Sequence, residues 1–142
     1  MLFPKKVKHR KWQTARRNPK FIGNATRGTR IENGTFGLKA MTNARVNSNQ
    51  IESARKVLTR EVGKLGKYWV RIFPDRPITR KPAEMGMGKG KGDPQGFCFE
   101  VLPGRMLFEV GNVSEAVARE ALRKAGTKMP VKVKIVSKED IY

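Results

Sequence analysis

The chain has 142 residues, of which 31 are Lys or Arg and 12 are Asp or Glu, so its formal net charge is +19. A single Cys and a single His exclude an internal disulfide, a Cys/His zinc site and a Cys–His nucleophile pair, and no apolar run approaches the ~20 residues of a membrane span. The length predicts one domain, 1–142, with a basic extension over 1–33 and a long basic loop over 74–96.

The positive charge is concentrated in the first two-thirds of the chain. Residues 1–92 hold 23 Lys and Arg against 5 Asp and Glu, whereas residues 93–142 hold 8 against 7. A surface charged only for solubility would mix the two signs, so this asymmetry predicts a polyanionic partner.

The first 30 residues contain ten basic residues and no acid. Since like charges repel, we predict a segment that is disordered alone and ordered by counter-charge. The interleaved aromatic residues either stack on nucleobases or tether the segment to the domain; we favour tethering for Phe3 and Phe21, and both remain open for Trp12. The basic residues predicted to bind RNA here are Lys5, Lys6, Lys8, Arg10, Lys11, Arg16 and Arg17.

A short strand and a helix are predicted next. Residues 34–41 place Phe36, Leu38 and Ala40 on one face, toward the core, and Lys39 on the other. For the helix, Asn47 is a good N-cap and Gln50 completes a capping box. Its predicted apolar stripe and C′ glycine are Ile51, Ala54, Leu58, Val62, Leu65 and Gly66.

The opposite face of this helix is basic, with Lys56, Arg60, Lys64 and Lys67 in one stripe. The alternatives are a solvated surface and a contact with RNA phosphates. Solvated faces normally include acids, whereas Glu52 and Glu61 lie beside the stripe and not in it. We therefore favour the contact with RNA phosphates.

A strand over 68–73 is predicted from its alternating pattern, and Pro74 ends it. Pro and Gly dominate the residues from 74 to 96, which predicts a loop without regular elements, either functional or merely solvated. The spacing of its glycines fits neither a phosphate-binding P-loop nor a dinucleotide fingerprint. Its tip offers two ammonium groups on a glycine backbone that suits phosphates: Met87, Gly88, Lys89, Gly90, Lys91 and Gly92.

The last third predicts a β-hairpin over 97–110 that turns at Pro103-Gly104, with Cys98 half-buried in its first strand. A helix follows from Ser114 as N-cap, then a strand led by Pro130, and a short frayed tail over 137–142. The apolar face of that helix is predicted to be Val117, Ala118, Ala121, Leu122 and Ala125. The fold class is α+β: a mixed or antiparallel sheet of four to five strands with two helices packed on one side.

Several of these segments resemble the L sixteen family of large-subunit ribosomal proteins. The similar segments are the start Met-Leu-Phe-Pro-Lys-Lys-Val-Lys-His-Arg-Lys, the Thr-Phe-Gly-Leu-Lys-Ala run, Asn49–Arg55, the run from Trp69 to Pro82, Met87–Gly92, Ala118–Ala121 and Lys128–Lys132. The resemblance covers nearly the whole chain. Because the start of the family coincides with Met1, we expect no cleaved presequence.

The resemblance implies a hammerhead-like β motif, binding to large-subunit rRNA, and a place beside the aminoacyl-site tRNA near the peptidyl transferase centre, with peptidyl-site tRNA and neighbouring ribosomal proteins as further partners. It implies a cytoplasmic ribosome, with a plastid ribosome as the alternative, and no membrane, cofactor or small-molecule substrate. The glycine-lysine tip would point toward tRNA. The remaining residues predicted to bind rRNA are Lys39, Arg45, Arg55, Arg71, Arg80 and Lys81.

The chain departs from the family at two places. Many bacterial members carry an arginine, hydroxylated in some, directly before Met-Gly-Lys-Gly-Lys-Gly; Gly86 stands there, which excludes that modification. The segment from Arg17 to Asn33 is longer than the usual pattern. The two alternative functions are an enzyme with a basic channel, for which the chain lacks paired carboxylates and a metal cluster, and an assembly factor that only visits the ribosome.

Overall fold

The computed structural model describes residues 2–12, 23–84, 86–88 and 90–141, which form an α+β domain with two antiparallel sheets. The predicted α+β class is confirmed, and so is an antiparallel sheet of four strands, whereas the second sheet, of three strands, was not predicted. In chain order the elements are β1 (Phe36–Ala40), β2 (Ala44–Asn47), α1 (Ser48–Val62), β3 (Lys67–Val70), β4 (Arg76–Arg80), β5 (Asp93–Val101), β6 (Met106–Gly111), α2 (Glu115–Gly126), β7 (Val133–Ser137) and α3 (Lys138–Ile141).

The larger sheet has the strand order β3-β6-β1-β7. β6 lies between β1 and β3, and all six of its residues are buried. As predicted, Leu38 and Ala40 of β1 face the core, where they join Phe108 of β6 and the apolar side chains of α1 and α2. The helices therefore cover one face of this sheet.

The smaller sheet has the order β2-β5-β4, and it corrects the predicted hairpin over 97–110. β5 pairs with β2 and β4, whereas β6 pairs with β1 and β3. The turn at Pro103 and Gly104 therefore carries the chain from one sheet to the other. Gly104 has φ +98°, and its amide donates to the Ala40 carbonyl at 2.7 Å.

The segment 74–96 is not structureless, as the loop prediction had it, because β4 and the first part of β5 lie within it. Arg76–Arg80 pairs with Asp93–Cys98 in antiparallel register, which makes a hairpin arm with its tip over residues 81–92. Pro77 is compatible with β4 because β4 is an edge strand, where one missing donor leaves the paired side intact. The strand β2, also at an edge, was not predicted.

The start of α1 is confirmed, because the Asn47 amide donates to Gln50 Oε1 at 2.9 Å as a capping box requires. Its end is not. The helix stops at Gly63, whose φ of +75° is left-handed, and not at Gly66. Leu65 consequently lies outside the helix and is 91% exposed, so its predicted place in the core is wrong.

The helix α2 packs against α1 and β1. Ser114 caps it, since its Oγ accepts from the Val117 amide at 3.4 Å. Ala118, Ala121, Leu122 and Ala125 are fully buried as predicted, whereas Val117 is 40% exposed and does not belong to the core face. The predicted frayed tail contains the short helix α3.

Part of the predicted basic extension is built into the domain. The Ala25 amide donates to the Pro103 carbonyl and the Met106 amide to the Gly28 carbonyl, both at 2.8 Å. Ile31 is fully buried against Met106 and Val136. Disorder is therefore a wrong description of this part of the extension.

Candidate nucleic-acid interface

The structure gives the surroundings of most residues that were predicted to bind RNA. Arg16, Arg17 and Lys89 lie outside the described residues, as does Phe21. The N-terminal cations Lys5, Lys6, Lys8, Arg10 and Lys11 are all exposed. Phe3 is 61% exposed, so the tethering predicted for it is wrong. Its neighbour Leu2 packs against the core instead.

The basic stripe opposite the apolar face of α1 is exposed. Lys56 and Arg60 lie on the helix itself, Lys64 lies in the turn that follows, and Lys67 begins β3. None of these four cations forms a salt bridge with an acid in the described part of the chain. The four charges therefore face solvent without a salt-bridge partner among the described acids, although the pKa of the Glu52 carboxyl is lowered mainly by a hydrogen bond from Arg55 and to a smaller extent by the charge of Lys56.

The two acids of α1 are engaged away from this stripe. Glu52 accepts from Arg55 Nε at 3.0 Å, and this hydrogen bond lowers the pKa of the Glu52 carboxyl. Glu61 accepts from Lys124 Nζ of α2 at 2.7 Å. Arg55 also donates to the Tyr68 hydroxyl at 3.4 Å, so its guanidinium joins α1 to β3. Arg55 is consequently less available to RNA than the stripe.

Arg71 has a structural partner that the sequence did not reveal. Its Nη1 donates to Glu109 Oε1 at 2.9 Å, and its side chain is only 15% exposed. The Glu109 side chain is fully buried on β6. The only sequence signal for this pair was an acid among the apolar residues of a predicted strand. The geometry assigns Arg71 to the core and leaves little of it for RNA.

The hairpin arm carries a second set of charges. Arg45 of β2 and Arg76 of β4 both form salt bridges with Glu100 of β5. Arg80 is exposed and Lys81 half-buried, and both line a groove of about 290 Å³ together with Pro82, Ala83, Asp93 and Gln95. The cations toward the tip of the arm therefore form no salt bridge with a described acid, unlike Arg45 and Arg76.

The tip itself contacts the N-terminal segment. Lys91 Nζ donates to the Trp12 carbonyl, and Lys81 Nζ donates to the Gly88 carbonyl. The Arg76 guanidinium lies 5.8 Å from the centroid of the Trp12 ring, within the range of a cation–π contact. These contacts support tethering for Trp12, the aromatic residue for which both roles were open.

A reactive thiol, a metal site and a membrane-spanning helix are all absent from the described residues. Cys98 is fully buried and not half-buried, and burial raises the pKa of its thiol. No group of three or more His, Cys, Asp or Glu side chains is placed to hold a metal ion in the part of the chain that is described. None of the described helices is both long and apolar enough to cross a membrane.

Comparison with known proteins matches almost the whole chain to one family. Residues 4–136 match the family described as Ribosomal protein L16p/L10e. Over 140 residues the chain is 49% identical to the large ribosomal subunit protein uL16 of Leifsonia xyli subsp. xyli (strain CTCB07). That match covers 99% of this chain and 98% of the relative.

Proposed function

Since this chain belongs to the ribosomal protein L16p/L10e family, we propose that it binds large-subunit rRNA through the basic stripe of α1 and contacts aminoacyl-site tRNA through the tip of the hairpin arm. Family membership makes the chain a structural, non-enzymatic component of the large ribosomal subunit. It confirms the resemblance drawn from the sequence and removes the enzyme and the visiting assembly factor from consideration.

The observation that carries the rRNA contact is the difference between the charges of the two long helices. On α2, Arg119 donates to Glu115 at 2.9 Å and Arg123 donates to Glu120 at 2.7 Å, so its cations are largely balanced. No cation of the stripe on α1 forms a salt bridge with a described acid. We expect exposed cations without a salt-bridge partner to contribute most to the free energy of binding RNA. Each contact between such a cation and a phosphate releases counterions from the RNA.

The tRNA contact rests on the form of the arm. Paired strands support a tip in which Met87 is fully exposed and Gly88 and Gly90 have φ values of +99° and +96°. Glycine in such conformations lets a backbone approach a partner closely. Peptidyl-site tRNA and neighbouring ribosomal proteins are further partners in this proposal. The proposed compartment is the cytoplasm, with the plastid as the alternative.

A titration of rRNA binding against salt tests the stripe. Replacing Lys56, Arg60 and Lys64 with Ala should flatten the slope of log K against log[salt] by roughly 2–3 units, because three phosphate contacts are lost. The fold should survive, since these side chains are exposed. An unchanged slope would show that the stripe is only solvated.

A matched control separates position from net charge. The triple variant Arg119→Gln, Arg123→Gln and Lys128→Gln removes the same charge, but two of its cations already have acid partners. For this control variant the slope of log K against log[salt] should change much less than for the α1 triple variant. Sedimentation completes the test: the wild-type chain should remain with large subunits in moderately high salt, and the α1 variant should be released at lower salt.

A further inference from the structure

The larger sheet has a second face, opposite the helices, and only part of it is covered. Ile31 lies over Met106 and Val136 there. The buried carboxylate of Glu109 accepts from the Glu32 and Asn33 amides at 2.8 Å and 3.1 Å. The segment before β1 therefore covers the half of this face that is nearest the start of β1.

The other half of this face carries three lysines. Lys39 of β1 and Lys134 of β7 are directly opposite in the antiparallel register, so their side chains lie on the same face. One step further, the Met41 amide donates to the Lys132 carbonyl at 2.7 Å. Like charges directly opposite each other are destabilising. None of these lysines forms a salt bridge with a described acid, although the pKa of Asp140, which hydrogen bonds lower most, is lowered further by the charge of Lys134. An anion bound between Lys39 and Lys134 would relieve the repulsion between them.

A groove of about 510 Å³ opens beside Lys39, the one of these lysines that lines it, and its volume is within the roughly 300–1,000 Å³ typical of small-ligand sites. We call it the β1 groove; its lining includes Asn24, Thr29, Lys39, Met41, Pro103 and Gly104. Backbone hydrogen bonds fix its walls, from the Ala25 amide to the Pro103 carbonyl at 2.8 Å and from the Gly104 amide to the Ala40 carbonyl at 2.7 Å. The groove is therefore preformed.

We propose that the β1 groove holds one unpaired nucleotide of the large-subunit rRNA, with its phosphate between Lys39 and Lys134 and its base against Met41 and Pro103. Met41 is 47% exposed and offers an apolar, polarisable surface for a base. The Asn24 amide and the Thr29 hydroxyl supply both donors and acceptors for base edges. Proteins read RNA mainly through unpaired nucleotides of this kind, because the bases of a duplex are not accessible.

This inference deepens the proposed rRNA binding and rests on it, but it concerns a different surface. The first test is the affinity of the full chain for a large-subunit rRNA transcript. The double variant Lys39→Gln and Lys134→Gln should weaken binding about 25-fold at ~0.1 M salt and flatten the salt slope by roughly 1.4 units, the value for two contacts to a single strand. The control is Lys128→Gln with Lys138→Gln, which removes the same charge from exposed positions.

Equal effects of the two double variants would overturn the proposal. The α1 triple variant distinguishes this failure from a failure of the proposed function. If that variant loses affinity while the Lys39 and Lys134 variant does not, rRNA binding stands and the groove has no part in it.

The second test asks what occupies the groove in the assembled subunit. A photoreactive benzophenone amino acid at position 41 should cross-link, in purified large subunits, to one unpaired nucleotide, mapped by a reverse-transcription stop. The same group at position 65, which is in a different and exposed turn, should not give that stop. A cross-link to a neighbouring protein, to paired nucleotides or to none would overturn the proposal.

Discussion

Arg71, which directly follows β3, and Glu109 of β6 form an ion pair, with 2.9 Å between Arg71 Nη1 and Glu109 Oε1. The carboxylate is fully buried, and it also accepts from two backbone amides of the segment before β1. One acidic side chain therefore joins the N-terminal segment to two strands of the larger sheet. Burial of a charge is tolerated here because several donors surround it.

The first prediction is that Glu109→Ala destabilises the chain by about 3–5 kcal/mol, because it leaves a nearly buried guanidinium and two amides without their acceptor. Denaturant unfolding of the full chain measures this loss. The control is Glu32→Ala: this acid lies 3.8 Å from Arg71 but is 68% exposed. It should change stability by about 0.5 kcal/mol or less. Similar losses of unfolding free energy for Glu109→Ala and Glu32→Ala would contradict the assignment of Glu109 as the buried partner of Arg71.

A second prediction concerns the core face of α1. Leu58 is fully buried, with a relative exposure of 0%. Leu58→Ala should therefore cost about 2–5 kcal/mol in unfolding free energy through lost burial and a cavity. Leu65→Ala removes the same atoms from a side chain that is 91% exposed and should be close to neutral. A loss below ~1 kcal/mol for Leu58→Ala would show that α1 does not cover the core.

A third prediction concerns pH and the thiol of Cys98. Burial raises its pKa in the folded chain, so folding disfavours the thiolate. The folded state therefore loses stability as the pH rises above the pKa of the thiol in the unfolded chain, which is about 8.5. Alkylation by iodoacetamide, which needs the thiolate, should be slow in the native chain and fast in denaturant. Equally fast alkylation in both would contradict burial of this side chain.

The sequence predicts those elements whose signals are local. The N-caps of both long helices and the buried positions Ile51, Ala54 and Leu58 follow from side-chain spacing and short-range hydrogen bonds, and the structure confirms them. The predicted end of α1 is wrong because Gly63 and Gly66, three residues apart, both fit the glycine signal for the C-terminus of a helix. Only the backbone conformation shows that Gly63 is the one with the left-handed φ.

The sequence does not determine which strands pair. The residues around Val101 and Met106 alternate as a hairpin would, yet the two strands belong to different sheets. Alternation specifies which face a residue occupies and leaves the partner strand open. Similarly, Arg71 looked like any other exposed cation because its partner Glu109 is 38 residues away. For the candidate site, composition indicated many cations but did not show which of them, such as Arg71, already have a partner.

The tip of the hairpin arm provides the last prediction, which tests the tRNA contact. Gly92 packs closely on the arm, since a Cβ there would lie 2.6 Å from the Arg80 carbonyl carbon, whereas nothing lies within 4 Å of the corresponding position at Gly88 or Gly90. Deleting Met87–Lys91 should therefore leave the melting temperature of the chain nearly unchanged, while ribosomes that carry it bind aminoacyl-site tRNA more weakly or mature late. The variant Lys89→Gln with Lys91→Gln keeps the length of the tip and separates the effect of charge from that of reach. Ribosomes purified with each variant allow tRNA affinity at that site and the yield of mature large subunits to be measured together. Wild-type values for both quantities in the deletion would show that the tip has no role in tRNA binding or assembly.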